Sequence, residues 1–184
     1  MVNNSQLHKI LSVIKDKYIC PNQAVVEEIG VSKGKKFHMK REVCSSRKVV
    51  YTLLRFDPND ETLFPYFNNI EGLHKICDYI LFAEDRSSVF AFLIELKKDN
   101  GSPLKQLEIS ESFVHFLVER AQSINNKLTK EFHIRKIGIK DTTSSKMETN
   151  YLNNLSYDQS HYLLVQSALR KLHIDMLMSL PVDD

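Results

Sequence analysis

The chain has no tryptophan, and only five glycines, five prolines and three cysteines among 184 residues. Few glycines exclude the phosphate-cradling loop and the dinucleotide fingerprint, both of which need several glycines at fixed spacing. Cys20, Cys44 and Cys77 form no CxxC pair. An odd, sparse count fits a reducing compartment better than a disulfide framework, and no Cys/His spacing suits zinc. No apolar run approaches the roughly 18 residues of a membrane-crossing helix. Residues 1–5 lack the basic start and apolar core of a secretory leader, so a cytoplasmic protein is expected. An excess of one charge is also missing, with 25 Lys and Arg against 23 Asp and Glu. Any surface for nucleic acid must therefore be local. With no repeat, linker or low-complexity tract, residues 1–184 read as one domain with a substantial core.

Apolar spacing gives a coarse order of elements. Leu7, Ile10, Leu11 and Ile14 recur at helical spacing, which predicts a helix over residues 5–17 capped by Ser5. Residues 24–51 are mixed: Val25, Val26, Glu27 and Glu28 suit a short strand or a short helix. Residues 49–56 read as a strand rich in β-formers, stopped by the Asp57-Pro58-Asn59-Asp60 turn. Residues 76–82 and 89–97 are the clearest strands. In the second, Phe90, Phe92, Ile94 and Leu96 point one way and Val89, Ala91 and Leu93 the other, so it should be covered on both faces. Ser102 and Pro103 open a helix over 103–128. Residues 132–140 alternate as a strand exposed on one side, 141–154 read as a loop, and 162–180 as a helix. The expected class is mixed α/β or α+β, an antiparallel hairpin beside a crossover helix.

Charge inside this hairpin is the informative feature. Asp78 opens one apolar run, and Glu95 and Lys97 close the next. Unpaired charge in an apolar strand is costly, so each needs a partner. A tight turn centred between Arg86 and Ser87 pairs positions whose numbers total 173, which sets Asp78 opposite Glu95. Lys97, two residues on, shares their face. Two adjacent carboxylates repel unless one is protonated or a hard cation such as Mg²⁺ bridges them. Such a cation, with a lysine near its water, is a set suited to phosphodiester hydrolysis. The plainer alternative is a Glu95–Lys97 ion pair on an exposed strand, with Asp78 merely starting its own.

Cys77-Asp78, then Glu95-Leu96-Lys97, then a helix resembles the signature of the PD-(D/E)xK nuclease superfamily, over residues 75–110. Cys77 stands where the signature has proline. The resemblance implies a restriction-endonuclease-like mixed central sheet with flanking helices. It implies that Asp78, Glu95 and the carbonyl of Leu96 bind Mg²⁺ or Mn²⁺, that Lys97 positions or activates the attacking water, and that Gln106 assists. Many members add an acid from an N-terminal helix; Glu27 and Glu28 are the candidates, with Glu28 preferred, and Asp57, at the end of a strand, is a further candidate ligand. The implied activity is metal-dependent hydrolysis of DNA, inside a restriction or defence system, by a homodimer or a larger complex.

The basic run from Lys33 to Arg41, including Lys35, Lys36 and Lys40, can track a phosphate backbone, with Phe37 or His38 stacking on bases; an ordinary solvated hairpin arm has the same composition. Lys98 and Lys105 would flank the scissile phosphate. His74 reads as a residue leading into a strand and Cys77 as buried filler. Two other functions fit the same residues: a catalytically silent subunit that binds nucleic acid or protein, and a hydrolase acting on RNA or a nucleotide.

Overall fold

The turn Asp85-Arg86-Ser87-Ser88 fixes the centre of the molecule. In the computed structural model, Asp85 Oδ1 accepts from the N–H groups of Ser87 and Ser88, and Asp85 N–H donates to Ser88 O at 3.1 Å. This local bonding sets the hairpin of β4 (Tyr79–Glu84) and β5 (Ser88–Lys97). Tyr79 pairs with Ile94 and Glu84 with Val89, so paired numbers total 173, the expected register. The structure describes residues 5–32, 34–45, 49–56, 64, 66–68, 70, 73–98, 101–125, 127–140, 155–157, 163–166 and 171–180. Asp57 and the segment 141–154 lie outside them.

Before the hairpin come α1 (Gln6–Leu11), β1 (Val25–Ser32), β2 (Lys35–Cys44) and β3 (Val50–Leu54). After it come α2 (Leu104–Asn125), β6 (Glu131–Lys140), β7 (Leu155–Tyr157), β8 (Leu163–Gln166), β9 (Lys171–His173) and α3 (Ile174–Ser179). Six strands form a mixed sheet in the order β3-β4-β5-β6-β8-β7. The β3-β4, β4-β5 and β7-β8 pairs are antiparallel, and β5-β6 and β6-β8 parallel. The crossover from β5 to β6 runs through α2, as the sequence led one to expect. A second sheet, β1-β2-β9, joins an antiparallel pair to a parallel one. The molecule is thus a mixed α+β protein.

Alternation along β5 divides the core in two. Phe90, Phe92, Ile94 and Leu96 pack with Val26, Met39, Val43, Leu172 and Leu177, between the large sheet and the small sheet with α3. Val89, Ala91 and Leu93 pack with Leu7, Ile10, Leu107, Val114 and Ala121 of the helices. Both faces of β5 are covered, which explains its unbroken apolar composition.

Four expectations need correction. Residues 162–180 are not one helix: β8, β9 and the short α3 occupy the described part. Apolar residues spaced three and four apart also arise when short buried strands follow one another. The first helix stops at Leu11, and Asp16–Tyr18 makes a separate 3₁₀ turn. Ser5 does cap it, at 3.3 Å from His8 N–H, but buried Glu84 adds a second cap from β4, accepting from the N–H groups of Gln6 and Leu7 and pairing with Lys130 at 2.8 Å. Strand β4 begins at Tyr79 rather than Ile76, because Cys77 and Asp78 bond outside the ladder. Strand β6 is not exposed on one side: Ile137 and Ile139 pack in the core between the sheets, and Phe132 and Ile134, on the opposite face, pack against the core beneath the helices.

The ambiguous residues 24–51 prove to be a hairpin and β3. Gly34 takes φ 74° in the hairpin turn, a backbone conformation glycine adopts without steric cost. Gly30 faces Phe37, and any Cβ there would lie 2.8 Å from the Phe37 ring. The ring can lie across β1 only because no side chain is present.

Candidate active site

The carboxyl ends of β5 and β6 and the start of α2 meet at one end of the large sheet. In open sheets with parallel strands, ligands bind at such ends. Asp78 and Glu95 stand here side by side. Asp78 N–H donates to Glu95 Oε2 at 3.1 Å, and Leu96 N–H donates to Asp78 Oδ2 at 2.7 Å. Each carboxylate is thus held by a backbone donor of the opposite strand. Lys97 Nζ contacts Glu95 Oε1 at 2.5 Å. The three side chains expected to share a face do so, on the side of α1 and α2.

Burial makes this arrangement electrostatically expensive. Glu95 is 3% exposed. Burial first, and the negative charge of Asp78 second, push its carboxyl up to about 7, against the pull of Lys97. Asp78 is raised as well, chiefly by burial, while the Leu96 N–H and the charges of Lys97 and Arg55 oppose the shift. Two carboxyls raised together hold a proton near neutrality and give it up when a cation takes its place. The donor set, two carboxylates with the neighbouring Leu96 carbonyl, is hard oxygen and suits Mg²⁺ or Mn²⁺. Among the described residues, no third His, Cys, Asp or Glu completes a cluster with this pair.

Behind Asp78 lies a hydrogen-bond chain. Cys77 N–H donates to Ser110 Oγ at 2.7 Å, and Ser110 donates to the Gln106 carbonyl at 2.6 Å. It ties the residue before Asp78 to the first turn of α2, where Gln106 is half-buried. Ser102 Oγ accepts from Leu104 N–H at 3.3 Å and starts that helix as expected. Ser110 is fully buried, a polar residue in the core-facing stripe of Leu107 and Val114. Ser110→Ala should leave Cys77 N–H buried without its acceptor and destabilise the protein by about 1–3 kcal/mol. Urea unfolding measures this; an unchanged midpoint would show that the bond holds nothing.

The remaining candidates are dispersed. Glu28 lies half-buried in β1 on the face shared with Val26, inside the layer between the two sheets, so alternation separates it from the face of Glu95. Glu27 sits outward, with its carboxylate 2.9 Å from His38. Along β2, Lys36, His38 and Lys40 face outward and Lys35 is exposed near the turn, whereas Arg41 points inward, 6% exposed, and donates to the Lys40 carbonyl. Phe37 packs inward over Gly30, with Lys98 Nζ 5.9 Å from its ring centre. Lys105 is exposed on the first turn of α2. The basic hairpin thus reaches the end of β5 through Lys98 and Phe37. His74 bonds the Asn68 carbonyl and packs near Phe64 and Phe67. Cys77 is fully buried, and burial pushes its thiol up to about 12, which keeps it an uncharged filler.

Two residues that the sequence did not single out belong here. Tyr79 bonds the backbone of Glu27 twice, donating to its carbonyl at 2.8 Å and accepting from its N–H at 3.1 Å, and so fastens β1 beside the pair. Arg55, just past β3, lies with its guanidinium 5.4 Å from the centre of the Tyr79 ring. Arg55 is a charge at the end of the apolar run of β3, the same kind of signal that drew attention to Asp78. A cavity of about 730 Å³ opens at the other end of the hairpin beside Glu84, Asp85 and Lys130. Its main ion pair, Glu84 with Lys130, already serves to hold α1.

The fold and site together define a mixed α+β protein with a buried carboxylate pair and a lysine at the carboxyl end of its central strand. Comparison with protein-family models, curated proteins and solved structures finds no match.

Proposed function

We propose that this protein is a metal-dependent nuclease that hydrolyses phosphodiester bonds in DNA, with a restriction-endonuclease-like core. The observation that carries the reading is the Asp78–Glu95 pair with Lys97 in contact, on one face and in one register. Asp78, Glu95 and the Leu96 carbonyl would hold Mg²⁺ or Mn²⁺. The bound ion would supply an acidified water and neutralise charge on the phosphoryl oxygens. Lys97 would turn from Glu95 towards that water, orient it, and offset the negative charge that develops on the phosphate. Gln106 would assist from α2. Lys35, Lys36, Lys40, Lys98 and Lys105 would carry the nucleic-acid backbone, while Arg41 supports the small sheet from within. Three free cysteines agree with a reducing, cytoplasmic setting, and no helix among the described residues is long and apolar enough to cross a membrane. A homodimer or a larger restriction or defence complex would be the working form.

Cation binding should displace the proton that Glu95 retains. Calorimetry with Mn²⁺ in buffers of different ionisation enthalpy should show release approaching one proton at pH 6 and falling towards none above pH 8. Affinity should weaken about tenfold per pH unit below about 7. Binding indifferent to pH would place the ion elsewhere.

A second reading has its own observation. Lys97 Nζ already sits on Glu95 Oε1, where a cation would bind. A silent binding subunit would keep that ion pair permanently and take up no divalent metal. Incubation of duplex DNA, single strands and RNA with Mg²⁺ or Mn²⁺ separates the readings. Metal-dependent cleavage of DNA supports the nuclease, cleavage confined to RNA redirects its substrate, and no cleavage with no metal uptake supports the silent subunit.

A further inference from the structure

A cleft of about 610 Å³ opens at the same end of the large sheet as the carboxylates, but on the side of the small sheet. One wall is the segment around Tyr18 and Cys20, sewn to β3 by backbone bonds: Arg55 N–H to Tyr18 O at 2.9 Å and Cys20 N–H to Leu53 O at 3.0 Å. The other wall is β1, fastened by the two bonds between Tyr79 and the Glu27 backbone. Both walls are therefore set before any ligand arrives. Two cations line the cleft, each over an aromatic ring: Arg55 over Tyr79, and Lys17 Nζ 4.7 Å from the ring centre of Tyr18. The acid in the lining, Glu27, is engaged by His38 at 2.9 Å.

A guanidinium packed against a ring can still offer its forked N–H donors to two phosphate oxygens. Tyr79 directly follows Asp78, so the floor of the cleft lies one residue from the carboxylate pair. Arg55 is also close enough for its charge to act on Asp78. A chain laid over this end of the sheet meets the pair on one side and Arg55 on the other.

We infer that this cleft binds the phosphodiester backbone flanking the scissile bond, with Arg55 gripping one phosphate and Lys17 supporting it. The inference rests on the nuclease reading for its substrate, yet it is tested by binding alone. Arg55 here is a substrate-binding residue that takes no part in the chemical step.

The test measures affinity for a fluorescent oligonucleotide, duplex and single-stranded, over a salt series in Ca²⁺ and in EDTA. Arg55→Ala should weaken binding about tenfold and reduce the slope of log affinity against log salt by about 0.7–0.9, the loss of one phosphate contact. Arg55→Lys should keep the slope and recover only part of the affinity. Lys17→Ala, which leaves the Arg55–Tyr79 packing in place, should weaken binding in the same direction. Lys127→Ala, an exposed cation beyond the far end of α2, should change nothing. Unchanged affinity and slope in both Arg55→Ala and Lys17→Ala, or no binding by the wild-type protein, would overturn the inference. Arg55-dependent binding without any cleavage would retire the nuclease reading and keep the cleft; cleavage with Arg55-independent binding would do the reverse.

Discussion

Asp78→Ala, Glu95→Ala and Lys97→Ala should each lower metal-dependent cleavage of DNA by about 10³-fold or more, with the fold retained. The size follows from what each removal undoes. On the proposed reading, loss of either carboxylate would leave a bound cation one anionic ligand and weaken the charge holding it beside the scissile phosphate. Loss of Lys97 would leave the proposed ligands and remove the positive charge expected next to the attacking water. A factor of 10³ corresponds to about 4 kcal/mol of barrier, within the range for one well-placed electrostatic group. Lys97 is partly solvent-exposed, so its truncation should barely move the unfolding midpoint. The carboxylate variants should lose Mn²⁺ binding together with activity, whereas Lys97→Ala should keep binding and lose turnover. Undiminished cleavage by Glu95→Ala and Lys97→Ala would leave the cluster without a catalytic role.

The second large effect is on stability. Glu95 sits at about 7 in the folded protein against an ordinary 4.5, so between these values the folded state holds a proton that the unfolded state has released. Stability must fall as pH rises through that window, by about 3 kcal/mol at roughly 1.4 kcal/mol per unit. Asp78 is raised too and contributes in the same direction. Glu84 and Asp85 act oppositely: backbone donors and Lys130 hold both below their ordinary range, so their stabilisation is present at neutral pH and is lost as pH falls into the acid range. The metal-free protein should therefore be most stable near pH 5. Glu95→Gln should remove most of the loss between about pH 4.5 and 7, leaving the part due to Asp78, and exceed the wild type by about 2–3 kcal/mol at pH 8, the lost contact with Lys97 being partly screened. Adding Mg²⁺ should stabilise the wild type at pH 8 and leave Glu95→Gln unmoved. Urea titrations at pH 5 and pH 8, with and without Mg²⁺, measure all of these; a wild type steadier at pH 8 than at pH 5 without metal would contradict the account. A site that costs stability until its ligand arrives is a common mark of function.

The central hairpin was legible because three local signals agree. Its turn carries Asp85 and two serines, its strands are apolar on both faces, and its charges fall at the ends. Register followed from the turn alone, and the meeting of Asp78 with Glu95 followed from register. Elsewhere the signals conflict. Around β8 and β9, Leu163, Leu164, Leu169 and Leu172 have helical spacing, yet the partners that make strands of Leu163–Gln166 and Lys171–His173 are β6, β7 and β2, distant in sequence. In β1 the adjacent Glu27 and Glu28 hide the period of two, although Phe37, Met39, Arg41 and Val43 of β2 do alternate inward, and that period would have turned Arg41 away from solvent. Ser110 was readable as a polar break in an apolar stripe. The cleft at Arg55 was not readable, because the Asp16–Tyr18 turn, β1 and Tyr79 meet only in three dimensions.

The central claim is that Asp78 and Glu95 act together on one divalent cation. A crystal structure of the protein soaked in Mn²⁺, with the ion located by its anomalous signal, tests it most directly. The account predicts one strong peak bridging a carboxylate oxygen of Asp78 and one of Glu95, with Lys97 moved off Glu95 Oε1. A Mn²⁺ peak at other residues, with the Lys97–Glu95 contact intact, would contradict it.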